Sequence, residues 1–200
     1  MRELSCRLES FLASLPRPAE EYEHRIGELV RSILKCLKMR GLYMEEPERI
    51  DLVAELSDFH DIGKLYIPRK ILNKPGPLTP EECVVVRQHP LWGKKIVERE
   101  GAGCSREEVR LASDICLLHH ERCDGRGYPR GLKGKQIPLE IQAVSLADAF
   151  DALCSERRYK KALSWQEAVE LICGGQCGCF QPEFYYILRA LPEACGNKKT

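Results

Sequence analysis

Glu48-Arg49-Ile50-Asp51-Leu52-Val53-Ala54-Glu55-Leu56-Ser57-Asp58-Phe59-His60-Asp61-Ile62-Gly63-Lys64 is the stretch that decides the fold. Ile50, Val53, Ala54 and Leu56 recur at helical spacing over Glu48 to Phe59, so one face of this segment belongs against a core. The helix pattern runs straight into a His-Asp pair and then a glycine. A helix that delivers an imidazole and a carboxylate at its end, just before a glycine, predicts a site built between helices.

The same pattern recurs in both directions from that stretch. From Glu20 to Met39, Ile26, Leu29, Val30, Ile33, Leu34 and Leu37 form an amphipathic stripe. Leu78-Thr79-Pro80-Glu81-Glu82 reads as a helix start, with Thr79 as N-cap, Pro80 at the first position and Glu82 closing a capping box. This helix is expected to continue through Val84, Val85, Val86, His89, Leu91 and Ile96. Ser105 and Glu108 begin another, running through Val109, Leu111, Ala112 and Ile115 to His119-His120. Asp124 to Gly131 is a loop by composition. Ile137 to Leu153 is apolar and helical and carries Asp148. Ser164 with Glu167 starts a further helix, and Pro182 to Leu191 forms the last. No strand alternation persists, and no internal repeat or linker interrupts the chain. The expected architecture is a single all-α helical bundle over residues 18–195, with residues 1–17 as an N-terminal extension and 196–200 as a C-terminal tail.

Composition narrows the function classes. The 200 residues carry 31 Lys plus Arg against 30 Asp plus Glu, a net charge of +1, so a DNA coat is not expected. No apolar run approaches the roughly 18 residues of a membrane span, and Met1 to Leu15 lacks a signal-peptide core. The chain is read as cytoplasmic. Its eleven cysteines are an odd count without a secretory context, which argues against a disulfide framework. Cys173, Cys177 and Cys179 cluster among Gly174, Gly175 and Gly178 without the spacing of a zinc ribbon. Reduced thiols are the plain reading, and a soft-metal or redox site is the alternative.

Four of the five histidines fall beside a carboxylate, another histidine or a glycine-rich loop. A single histidine at a helix end is more often a cap than a ligand, so the joint pattern carries the argument. His60, Asp61, His89, His119, His120 and Asp148 together form the imidazole and carboxylate set suited to Fe, Mn, Zn or Ni. Asp61 can bridge two ions through its two oxygens, and ions about 3.5–4 Å apart can clamp a phosphoryl group and acidify water. Cys116 and His119 stand one helical turn apart, but no third group orients them as a nucleophile and base.

These residues resemble a known family. His60-Asp61-Ile62-Gly63-Lys64 looks like the HD-x-G-K motif of the HD superfamily of metal-dependent phosphohydrolases. His119-His120-Glu121-Arg122-Cys123-Asp124-Gly125-Arg126-Gly127-Tyr128-Pro129 is similar to the second signature of its HD-GYP subgroup. Ile67-Pro68, Ile71 to Gly76, His89-Pro90 with Gly93, Asp148 to Leu153, and Arg157 to Ser164 follow in the expected order, so the resemblance spans about residues 20–190. It implies an HD-type bundle that hydrolyses a cyclic dinucleotide, cyclic di-GMP foremost, to the linear dinucleotide and then GMP. It implies a two- or three-metal site, with iron or manganese ahead of zinc or nickel. Metal ligation falls to His60, Asp61, His89, His119, His120 and Asp148, with Asp61 bridging. Asp61 and Lys64 are the implied catalytic groups, and Lys64, Arg157 and Lys160 the implied substrate contacts. Lys64 is one helical turn from the His-Asp pair, and an arginine fork suits phosphate or a guanine edge. The reaction implied is in-line attack on phosphorus with the ribose 3′ oxygen leaving. The Gly127-Tyr128-Pro129 loop is a candidate to shape the site mouth or to dock a partner such as a diguanylate cyclase. As a plain turn, it would need Gly127 for an unusual backbone angle.

The sequence departs from the family pattern on its first helix. The family carries His-x-x-Arg-Val there, and aligning Arg25-Ile26 puts Tyr22 at the histidine. His24 is two residues away, about 200° around a helix. Two ions are therefore expected and a third is left open. Gln142 stands where an arginine is common, and Phe180-Gln181-Pro182 replaces Phe-Asp-Pro. The alternatives to a phosphodiesterase are a degenerate module that binds a cyclic dinucleotide or a signalling partner, and an HD hydrolase of another nucleotide.

Overall fold

A computed structural model describes residues 2–14, 26–155 and 161–194. Among these the chain is all-α. Its helices are α1 Glu3–Ala13, α2 Ile26–Met39, α3 Pro47–Ser57, α4 Arg69–Leu72, α5 Pro80–Val86, α6 His89–Glu100, α7 Arg106–Leu118, α8 Leu139–Cys154, α9 Trp165–Cys173 and α10 Pro182–Ala194. Two 3₁₀ turns, Ile62–Tyr66 and Gly134–Gln136, complete it. The one β-type contact among the described residues is an isolated bridge between Asp124 and Lys133. No described helix is long and apolar enough to cross a membrane.

The core forms where the apolar stripes meet. α2 buries Ile26, Val30, Ile33, Leu34 and Leu37, the spacing of one helix face, and packs against α3, α8 and α10. α8 is buried nearly all round, from Ile141 to Leu153, which marks it as the central helix. α6 lies against α7 and against the first 3₁₀ turn. The segment read as an N-terminal extension carries α1, whose Leu4 and Leu8 are fully buried in the same core. Arg49 forks onto Glu140 with Nε–Oε1 at 2.7 Å and Nη2–Oε2 at 2.8 Å, and the Tyr43 hydroxyl donates to the same carboxylate at 2.6 Å. This network ties α3 to the start of α8.

Several helix starts follow the expected chemistry. Thr79 and Glu82 form the full capping box of α5, and Ser164 and Glu167 that of α9. Ser105 is the N-cap of α7 but makes no side-chain cap bond. One expectation fails: Thr79 to Ile96 is two helices, broken at Arg87 and Gln88. Pro90 is the cause. Its ring nitrogen has no hydrogen to give the carbonyl four residues back, and its ring crowds that carbonyl. That carbonyl belongs to Val86, the last residue of α5. α3 likewise ends at Ser57, earlier than the periodicity suggested, so His60 and Asp61 lie in the turn beyond it.

Candidate metal centre

The broken helix explains the first ligand. With Pro90 unable to use it, the Val86 carbonyl accepts from His89 Nδ1 at 2.8 Å. His60 Nδ1 donates in the same way to the Ser57 carbonyl at 2.9 Å. His119 Nδ1 faces the carbonyls of Cys116 and Ile115 at 2.9 and 3.1 Å. Each acceptor lies in the last turn of a helix; the Ser57 and Ile115 carbonyls also accept the His60 and His119 backbone N–H at 3.1 and 3.2 Å. Three helix C-termini, those of α3, α5 and α7, thus supply the groups that hold three imidazoles. Their dipoles also favour positive charge nearby. In the neutral ring, a hydrogen committed to Nδ1 leaves Nε2 bare and available to a cation.

The Nε2 atoms converge on Asp61. His89 Nε2 lies 3.1 Å and His119 Nε2 3.7 Å from Asp61 Oδ1. His89 and His119 present their Nε2 atoms to each other at 3.2 Å. On the other side, His60 Nε2 is 3.3 Å from Asp61 Oδ2 and 3.6 Å from Asp148 Oδ1. Lys64 Nζ pairs with Asp61 Oδ2. His120 stacks on Tyr128, with ring centroids 4.7 Å apart. The structure therefore brings together His60, Asp61, Lys64, His89, His119, His120 and Asp148. Arg157 and Lys160 lie outside the described residues, as do Tyr22 and His24.

A divalent ion fits this donor set. Ligand atoms of Asp61, His89, His119 and His120 lie within 4.8 Å of one another, as do those of His60, His119 and Asp148. Asp61 Oδ1 is buried without a hydrogen-bond partner. Two bare imidazole nitrogens face that oxygen, an arrangement of lone pairs that repels itself unless a cation lies between them.

Charge among the site's side chains is distributed accordingly. Burial opposes a proton on His60, but the neighbouring Asp61 and Asp148 carboxylates outweigh it and push the imidazole up to about 10. Burial likewise resists ionisation of Asp61, yet Lys64 and His60 hold it well below the usual carboxylate range. Asp148 is held down too, against burial, by its bond with His60. Burial lowers His119 and, with His119 beside it, His120, so both stay neutral. His60 therefore holds a proton that metal binding would have to displace.

Two glycines bring the ligands together. A Cβ on Gly63 would lie 1.9 Å from the His89 carbonyl oxygen and 2.4 Å from the Gly93 nitrogen. Only glycine lets the turn after Asp61 touch the start of α6. Gly127 acts through space as well, not through the unusual backbone angle expected of it. Its φ is not positive, whereas Gly125 and Gly131 take φ of +78° and +65°. A Cβ at Gly127 would meet the Arg122 nitrogen at 2.4 Å.

Sequence reasoning missed Glu121 and Arg87. Glu121 is buried, and its carboxylate accepts from the backbone of Arg130 at 2.6 Å and Leu132 at 2.9 Å, which closes the glycine-rich loop. Its signal was a lone acid directly after two ligands. The Arg87 guanidinium lies over the Tyr128 ring, 5.2 Å from its centroid; nothing local in the sequence announces that contact. The Cys116 thiol is buried, donates to the Phe59 carbonyl at 3.4 Å and is pushed up by burial, so it is no nucleophile.

The sequence matches the HD domain family over residues 7–176. The chain belongs to the HD domain family. Its His119 to Pro129 stretch resembles the signature of the HD-GYP subgroup. It is 40% identical over 169 residues to a cyclic di-GMP phosphodiesterase of Thermotoga maritima, covering 84% of this chain and 43% of that protein. It is 35% identical over 195 residues to the cyclic di-GMP phosphodiesterase response regulator RpfG of Xanthomonas campestris pv. campestris, covering 94% and 50%. A 3′3′-cGAMP-specific phosphodiesterase 2 of Vibrio cholerae is 31% identical over 176 residues, covering 88% and 33%. The chain thus spans half or less of the length of these curated relatives. Among solved structures, Bd1817, an HDGYP protein of Bdellovibrio bacteriovorus, superposes with a TM-score of 0.67 at 20% identity, over 93% of this chain and 56% of that one. That likeness supports the family's fold.

Proposed function

We propose that the chain is a metal-dependent phosphodiesterase that hydrolyses a cyclic dinucleotide, cyclic di-GMP before 3′3′-cGAMP, to the linear dinucleotide and then GMP. The observation that carries this reading is the buried Asp61 Oδ1 without a hydrogen-bond partner, faced by the bare nitrogens of His89 and His119. The relatives named above supply the substrate class. Two ions are the proposed complement, iron or manganese before zinc or nickel, with a third left open by the Tyr22 and His24 departure. One would lie with Asp61, His89, His119 and His120, the other with His60, Asp61 and Asp148. Because one imidazole nitrogen serves one ion, Asp61 would be the residue shared between them. Bound there, the ions would supply Lewis acidity and acidify a water molecule.

The chain's own residues do the rest. Helix-end carbonyls fix three imidazoles before substrate arrives, so little reorganisation is needed. Lys64, paired with Asp61, is placed to turn toward a phosphodiester oxygen as negative charge builds on it. Arg157 and Lys160 are the proposed additional substrate contacts. Tyr128 stacks on His120, and the Gly127-Tyr128-Pro129 loop, flanked by the exposed Arg126 and Arg130, is the proposed face for a regulatory partner such as a diguanylate cyclase.

The test is to purify the chain anaerobically, count bound metal, and assay cyclic di-GMP and 3′3′-cGAMP with iron or manganese. About two ions and turnover of cyclic di-GMP are expected. Metal without turnover of either dinucleotide would leave the binding-module reading, and neither metal nor turnover would overturn the enzyme.

A further inference from the structure

The cysteines of the glycine-rich C-terminal segment are not used by the metal centre. Cys179 meets Cys123, three residues past His120, across a seam that Cys177 also borders. The Cys123 backbone N–H donates to the Cys179 carbonyl at 3.0 Å. Such a bond brings the two backbones close to the separation a disulfide requires. The Cys179 thiol donates to the Phe180 carbonyl at 3.7 Å and is close enough to raise the Cys123 thiol. Both are half-buried and reachable from solvent. Their segments are also held in register: Arg122 Nε donates to the Cys177 carbonyl at 3.0 Å, and Gly178, with φ of +94°, leaves room for the Arg122 side chain. The remaining arginine contacts run to the His119 and Glu121 carbonyls at 3.1 and 2.8 Å, so this seam backs directly onto the ligand-bearing segment.

We propose that Cys123 and Cys179 are a reversible redox pair whose co-reactant is a low-molecular-weight disulfide of the glutathione type. The Cys179 thiolate attacks one sulfur of that disulfide, its S–S bond breaks, and one small thiolate leaves. The Cys123 sulfur then attacks Cys179, releasing the second small thiolate. The two leaving thiolates take up the two protons, so two protein thiols are oxidised and one small disulfide is reduced to two thiols. The order follows from the environment: burial and the neighbouring Cys179 push the Cys123 thiol up to about 12, so Cys123 is not the first attacker. The product staples the loop before α10 to the segment that follows His120.

The test treats the full chain with glutathione disulfide, blocks remaining thiols by alkylation, and maps cross-links by peptide mass spectrometry. Trypsin frees Cys123 in a short peptide between Arg122 and Arg126, and fragmentation separates Cys179 from Cys173 and Cys177. A Cys123–Cys179 cross-link reversed by dithiothreitol is expected, with a Tm raised by about 4 °C or more because a long loop is closed. Cys123→Ser should instead trap glutathione on Cys179. The pair is overturned if Cys123 stays fully alkylatable, if it joins Cys173 or Cys177, or if the Cys123→Ser chain takes up no adduct at Cys179. The wild-type map stands even if a variant fails to fold.

Discussion

His60, His89 and His119 are held in one way and His120 in another. The first three give Nδ1 to carbonyls at the ends of α3, α5 and α7. His120 is held by an aromatic face, the ring of Tyr128. A backbone carbonyl fixes both the tautomer and the direction of an imidazole; a stacked ring fixes its plane only. The three carbonyl-held rings should therefore tolerate little change around them, while His120 should accept any flat partner.

Breaking what both groups share should have the largest effect. Asp61→Asn removes the carboxylate on which all four rings converge, and loss of bound metal with a fall in turnover of at least about 10³-fold is expected from metal analysis and a phosphodiesterase assay. Gly63→Ala forces the start of α6 away from Asp61. It should weaken metal binding by about 10²-fold and lower Tm through an overpacking cost of about 1–3 kcal/mol, read by titration and thermal melts. Replacing it with a larger side chain should be worse.

Acidity probes the carbonyl-held side. His60 is raised to about 10, above an unfolded value near 6.5. A raised folded pKa stabilises fully below about pH 6.5, and that contribution is lost as pH rises through about 10. Metal must displace the same proton, so apparent affinity should climb by up to about tenfold per pH unit between pH 7 and 8.5. Calorimetry in buffers of different ionisation enthalpy would count the proton, and a flat profile would remove His60 from the ligand set. Pro90→Ala should join α5 to α6, return the Val86 carbonyl to a backbone N–H and free the His89 ring, lowering metal affinity about 10-fold by equilibrium titration. Tyr128→Phe should have the smallest effect, under about threefold in affinity, because the stack survives. Tyr128→Ala should lose about 10-fold.

Local chemistry was readable in the sequence, and convergence was not. The capping boxes at Thr79 and Ser164 and the apolar stripe of α2 are short-range statements, and they appear as expected. The break at His89-Pro90 was also readable: the proline's missing hydrogen was in plain view, and the continuing apolar pattern through Ile96 overrode it. The ligand set came from the joint pattern of histidines and from family resemblance, because nothing in the spacing of His60, His89 and His119 says that their rings meet. The contact of Gly63 with His89 and Gly93 joins residues far apart in sequence, so only the fold reveals it. Glu121 was missed because a loop acid looks solvated until its two backbone donors are seen. Gly127 was assigned the right importance for the wrong physical reason, since crowding from Arg122 and not a left-handed angle excludes other residues.

Carbonyls at helix ends also make the site a gauge of helix length. One residue inserted within the last turns of α3 or α7 would rotate the following imidazole by about 100° and shift it by about 1.5 Å, taking it off both its carbonyl and its neighbours. The chain can therefore lengthen more freely beyond these ends, as along the exposed stretch from Pro75 to Pro77. Insertions recovered from a random library that retain metal should be absent from the two helix ends and crowded into that loop.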